Sequence, residues 1–183
     1  MTLYGLEPPA RLDSRTLGDR FAAAERLAAA GIEVDYDRGL AGFVRDDGGR
    51  ADAGYRGTTG DCGCRAIAIA LDLPYREVYD LIIDYARSER PNARRRRSHP
   101  RTGVHHSLMR RILDDYGWRW TATMTIGSGC RVHVRADELP GGRLILNLSR
   151  HYAAMIDGVV HDTHDPSRDG TRCVYGFWQP PLV

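Results

Sequence analysis

Cys62 stands in a run of small residues, Gly57-Thr-Thr-Gly-Asp-Cys-Gly-Cys64, that leads directly into Arg65-Ala-Ile-Ala-Ile-Ala-Leu71, an Ala-rich stretch that is apolar nearly all round. This reads as a loop delivering a cysteine to the N-terminus of a buried helix. A thiol is a useful nucleophile only when a substantial fraction of it is thiolate. A helix N-terminus favours the thiolate by placing partial positive charge and free backbone N–H groups beside the sulfur. Asp61 is placed to cap the helix, and Gly60 and Gly63 leave room for a substrate backbone to approach the sulfur. Taken alone, the feature also fits a small buried cysteine that packs a loop against the core.

His151 adds the second half of a reactive pair. Asp157-Gly158 is a two-residue hairpin signal between His151 to Ile156 and Val159 to Thr163. If that turn is tight, residues 151, 153 and 155 share a sheet face with 160, 162 and 164, which makes Asp162 a diagonal neighbour of His151. A carboxylate there would hold the ring and support an imidazolium. His161 points to the other face, Asp157 lies in the turn, and His164 lies opposite His151 as a lesser candidate. The plainer alternative is an ordinary hairpin with polar residues at its exposed end.

The chemistry this trio would perform is acyl transfer, with Cys62 as nucleophile, His151 as base and Asp162 as orienter. Water as acceptor makes a peptidase or amidase, and an amine makes a transferase. No cofactor or metal is required for it. A protein or peptide is the expected substrate.

The elements that must position these groups follow from periodicity. Residues 14 to 30 read as a first helix stopped by Gly31, followed by a strand-like Ile32 to Tyr36 and a turn at Asp46 to Gly49. After the Cys62 helix, Tyr75 to Ala86 and Val104 to Tyr116 read as two more helices. Strands are expected at Trp118 to Met124, at Arg131 to Arg135 and at Gly142 to Leu148, with one turn of helix at Ala136 to Leu139, ahead of the two hairpin strands. Helices first and strands after is an α+β layout.

This order resembles that of papain-like cysteine peptidases. Asp61-Cys-Gly followed by Ala66 to Leu71 is similar to the nucleophile motif of their bacteriocin-processing branch, and His151 to Asp165-Pro166 is similar to that branch's His and Asp strands. Thr59-Gly-Asp-Cys62, Arg65 to Ala70, His161-Asp-Thr163 and Asp169 to Gly176 also resemble segments of small tailed-phage proteins. The resemblance implies an N-terminal helical extension over 1–54 and a papain-like domain over 55–183. In that domain the nucleophile helix packs on an antiparallel sheet carrying the His and the Asp. One feature departs from the family: such enzymes commonly carry a Gln shortly before the Cys as oxyanion donor, and the chain's one Gln is Gln179. The Cys62 N–H with Thr58, Thr59 or another backbone N–H would have to serve instead. A catalytically inactive relative that only binds is therefore the alternative.

Composition bounds the rest. The chain has 183 residues, 42% hydrophobic and 27% charged, which is ordinary for a folded domain. Every basic residue is Arg, so Lys-dependent Schiff-base chemistry is excluded. The net charge of +2 offers no strong overall field for nucleic acid or an anionic membrane. A local role for nucleic acid or an acidic substrate would fall to Arg94, Arg95, Arg96 and Arg97 in the basic loop from Arg87 to Arg101, although no aromatic residues interleave there to stack bases. The N-terminus does not read as a signal peptide and no run approaches a membrane span, so a cytoplasmic protein is expected, with Cys62, Cys64, Cys130 and Cys173 as reduced thiols. A zinc site drawn from Cys62, Cys64, His161, His164 or Cys173 is the chemical rival, weakened by the Cys-x-Cys spacing.

Overall fold

The structure, a computed structural model, describes residues 28, 29, 31, 32, 38–57, 59–92, 96–125 and 127–181. The expected first helix and the strand at Ile32 to Tyr36 lie almost wholly outside these residues. Nine elements follow in the order β1 (Gly42–Arg45), α1 (Cys62–Leu71), α2 (Tyr75–Ala86), α3 (His106–Asp115), β2 (Arg119–Ala122), β3 (Arg143–Leu148), β4 (His151–Ile156), β5 (Val159–Asp162) and β6 (Val174–Gln179). The fold is α+β: among the described residues, these three helices pack with one six-stranded sheet in the order β1-β5-β4-β3-β6-β2. Among the described residues no helix is long and apolar enough to cross a membrane.

The sheet differs from the expected antiparallel one in a single strand. β1 runs parallel to β5, with Gly42 opposite Val159 and Arg45 opposite Asp162, while every other pairing is antiparallel. The Gly42 N–H donates to Gly158 O at 3.0 Å and the Asp46 N–H to Asp162 O at 2.9 Å, so both ends of the edge strand are fastened. The sheet thus begins upstream of residue 55. β6 is a strand that the sequence reading does not predict, whereas Arg131 to Arg135 forms only two isolated bridges, His133 to Cys173 and Arg135 to Leu40, and residues 136 to 138 form a turn.

Side-chain alternation divides the apolar residues between the two faces of the sheet. Ile145, Ala154 and Trp178 meet the helices, where Ile67, Leu71, Ile82, Leu108, Ile112 and Leu113 are fully buried. Leu144, Leu146, Met155, Val160 and Phe177 fill the other face under Val134 and Leu139. Each such buried aliphatic side chain contributes about 1.5–3 kcal/mol relative to exposure. α1 is the central helix, buried along nearly its whole length and packed on β4.

Two devices end α1. Asp72 adopts a left-handed conformation, φ 56°, and the Leu73 N–H reaches back to Ala68 O at 2.9 Å. From β3, Arg143 Nη1 donates to Ile69 O at 2.8 Å, placing a cation on the helix's negative end and tying it to the sheet. The helix is thereby fixed in its axial position, which decides where its first residue, Cys62, emerges.

Candidate active site

The three candidate side chains occur at element ends. Cys62 is the first residue of α1, His151 the first of β4 and Asp162 the last of β5. The Asp157-Gly158 turn, with φ 50° at Asp157 and 86° at Gly158, closes the β4–β5 hairpin with Ile156 opposite Val159 and Ala154 opposite His161. Continued outward, this register sets His151 opposite His164, whose ring centroid is 5.2 Å away, and leaves Asp162 as the diagonal neighbour. His151 Nε2 and Asp162 Oδ2 are 2.5 Å apart.

With Nε2 engaged by Asp162, Nδ1 is the ring nitrogen left for the Cys62 thiol, and each of the two groups shifts the other's protonation. Burial pushes the half-buried Cys62 thiol up. The His151 hydrogen bond and charge, the Tyr152 backbone N–H and the Arg65 charge together outweigh it and hold the thiol below its ordinary value. Burial works the opposite way on His151, yet hydrogen bonds to Asp162 and Cys62 raise it to about 9. Asp162 stays below the usual carboxylate range: burial raises it, and His151, Arg65 and the Thr163 N–H reverse that. All three shifts favour a thiolate, an imidazolium and a carboxylate in sequence.

A fourth group was not foreseen. Arg65, only 5% exposed, lies one helical turn past Asp61 and bridges it to Asp162. Its Nη1 pairs with Asp61 Oδ1, and its Nη2 donates to Asp162 Oδ1 at 2.8 Å. Asp61, fully buried, also accepts from Tyr75 Oη at 2.8 Å and from Arg50 Nη1 at 3.4 Å. The expectation that Asp61 caps the helix is therefore corrected, because its side chain makes no capping hydrogen bond. The first-turn N–H groups beside Cys62 are left uncapped by that carboxylate.

Gly63 also does something other than expected. A Cβ there would lie 3.1 Å from Val104 Cβ, so its smallness admits the chain entering α3 rather than a substrate. Of the oxyanion candidates, Thr58 lies outside the described residues. Thr59 Oγ1 donates its one proton to Arg101 O at 2.6 Å, and the Gly60 N–H reaches the same carbonyl at 2.9 Å. These contacts pin the loop before Cys62 to the segment before α3.

The other sequence candidates fall elsewhere. His161 Nδ1 contacts Asp46 Oδ2 at 3.1 Å, and Asp157 Oδ1 accepts the Gly142 N–H at 3.0 Å. Arg94 and Arg95 lie outside the described residues. Arg96 and Arg97 are exposed, and Arg97 Nε donates to Glu89 O at 3.1 Å. Arg101 lies over the Tyr55 ring, 5.9 Å from its centroid, and donates to Arg56 O at 2.8 Å.

The cysteines divide into two kinds, which corrects the expectation of four free thiols. Cys62 and Cys64 are free, whereas Cys130 and Cys173 form a disulfide with Cα atoms 5.8 Å apart. The Val174 N–H to Val132 O and Val134 N–H to Arg172 O hydrogen bonds bring the two segments side by side, a pairing invisible in a spacing of 43 residues. Cys173 is thereby removed from the zinc alternative, and among the described residues no three His, Cys, Asp or Glu side chains are grouped to hold a metal. Comparison with known family models, curated proteins and solved structures finds no match for this chain.

Proposed function

We propose that this protein is a thiol-dependent acyl-transfer enzyme of papain-like design, acting as a peptidase or amidase on a protein or peptide. The observation that carries this reading is the His151 imidazole, held by Asp162 at 2.5 Å and drawing down the thiol of Cys62, the first residue of a helix. Structural cysteines are ordinarily buried in apolar surroundings with raised thiols, as Cys64 is at about 12. Cys62 shifts the opposite way.

In this reading His151 takes the Cys62 proton, and the thiolate attacks the substrate carbonyl carbon. The carbonyl electron pair moves onto oxygen, where the uncapped first-turn N–H groups of α1 supply donors. Collapse of the tetrahedral adduct breaks the bond to the leaving amine, which takes the proton from His151 and leaves a thioester on Cys62. Water then gives a proton to His151, attacks the thioester and releases the acid, and the proton returns to sulfur. Asp162 keeps its charge throughout and stabilises the imidazolium.

The test is alkylation of the native protein by iodoacetamide from about pH 4 to about pH 9, each cysteine read by mass spectrometry, with His151→Ala alongside. The reading expects Cys62 to react fastest at about pH 6 and to lose that advantage in the variant. A Cys62 that titrates like an ordinary thiol, near about 8.5, would overturn it.

A further inference from the structure

We infer that Arg65 is the positioning residue of this site: its guanidinium, anchored on Asp61, aims the Asp162 carboxylate at His151. The inference rests on the reading of Cys62, His151 and Asp162 as the reactive set and names what organises them.

Arg65 follows Cys62 by three residues on α1, so nucleophile and guanidinium belong to one rigid element. Of its two terminal nitrogens, one is spent on Asp61 and the other on Asp162 Oδ1. Asp61 is in turn held by Tyr75 and Arg50, so the anchoring end of the fork is fixed by two further contacts. At the working end, Oδ1 takes Arg65 Nη2 at 2.8 Å and the Thr163 N–H at 2.7 Å, which leaves Oδ2 for the ring nitrogen. A carboxylate so held cannot turn about its terminal torsion without breaking a charge-assisted bond.

Stability alone does not account for the arrangement. A buried ion-pair network is at best about as stabilising as apolar side chains of the same volume, because both partners lose their hydration. α1 is otherwise built from Ala, Ile, Leu, Cys and Gly63, and an apolar side chain would bury position 65 at less cost. What the planar fork adds is direction: two carboxylates at a fixed separation and angle, which the point charge of a lysine does not reproduce.

The experiment is the alkylation rate of Cys62 against pH in the wild type, Arg65→Lys, Asp162→Asn and the double variant. Arg65→Lys keeps the charge and loses the fork. It is expected to slow Cys62 at about pH 6 by about tenfold, the effect of a one-unit rise in the thiol pKa. Because Arg65 acts through Asp162, the double variant is expected to be no slower than Asp162→Asn alone, whereas a merely structural role would give additive losses. An unchanged rate in Arg65→Lys, or full additivity, overturns the proposal. Asp61→Asn is the second probe should Arg65→Lys not fold. It removes a negative charge beside the nucleophile, which by charge alone would speed the reaction. Loss of the anchor requires it to be slower, and a faster rate counts against the proposal. Failure of the site reading itself is told apart because it appears in the wild type, as a Cys62 with no advantage at low pH.

Discussion

The His151 Nε2 and the Asp162 Oδ2 lie 2.5 Å apart because a two-residue turn closes the hairpin that carries both. The pair depends on register, since a slip of one residue along β5 would turn the carboxylate to the opposite face. Its electrical consequence is a histidine raised to about 9, which sets the first expectation.

A histidine raised above its ordinary value of 6.5 contributes stability that is fully present below about pH 6.5 and is lost as pH rises through about 9. The difference in thermal midpoint between the wild type and His151→Ala is therefore expected to be largest near pH 6 and to shrink across that interval. A difference that is flat in pH contradicts the ion pair.

Cys64 is fully buried and raised to about 12 by burial. In the folded protein it is expected to resist alkylation at about pH 8, where Cys62 reacts, and to be modified only in denaturant. Mass spectrometry of the two peptides separates the sites.

Gly176 has no space for a side chain. A Cβ there would lie 2.3 Å from Trp120 Cζ2 and 2.6 Å from the Thr121 carbonyl oxygen, and the backbone atom cannot step aside cheaply. Gly176→Ala is expected to destabilise the fold by about 1–3 kcal/mol, read as a lower denaturant midpoint.

The Cys130–Cys173 disulfide closes a loop of 43 residues, for which chain entropy gives a stabilisation of about 4 kcal/mol. Cys130→Ser with Cys173→Ser is expected to lower the denaturant midpoint accordingly, while leaving the Cys62 alkylation profile in place. Loss of that profile would mean that the bond organises the site rather than its surroundings.

How far the sequence discloses this arrangement depends on the range of the interaction that decides each part. The hairpin is local: Asp157-Gly158 and a period of two suffice to place His151, Asp162 and His164 on one face. α2 is likewise legible from its apolar stripe and Pro74, and runs from Tyr75 to Ala86 as expected. The parallel partner of β1 is not legible, because four residues of mixed polarity carry no mark of a strand 117 positions away. Arg65 escapes for another reason. Within an Ala-rich helix a single Arg reads as a solvated exception, and the only local hint is its i, i+4 spacing from Asp61. That hint invites an ordinary surface pair, while the burial that makes it matter is set by β5, nearly one hundred residues later.

One helical turn on α1 carries both the sulfur and the guanidinium that steadies the acid on the sheet. The layers of the fold are therefore stitched together at the place where chemistry would occur. A perturbation that tilted α1, by overpacking against Val104 for instance, would displace the Cys62 sulfur and the Asp162 carboxylate in concert. Damage at a distance would then register as a graded loss of reactivity across the whole trio, not as the departure of one member.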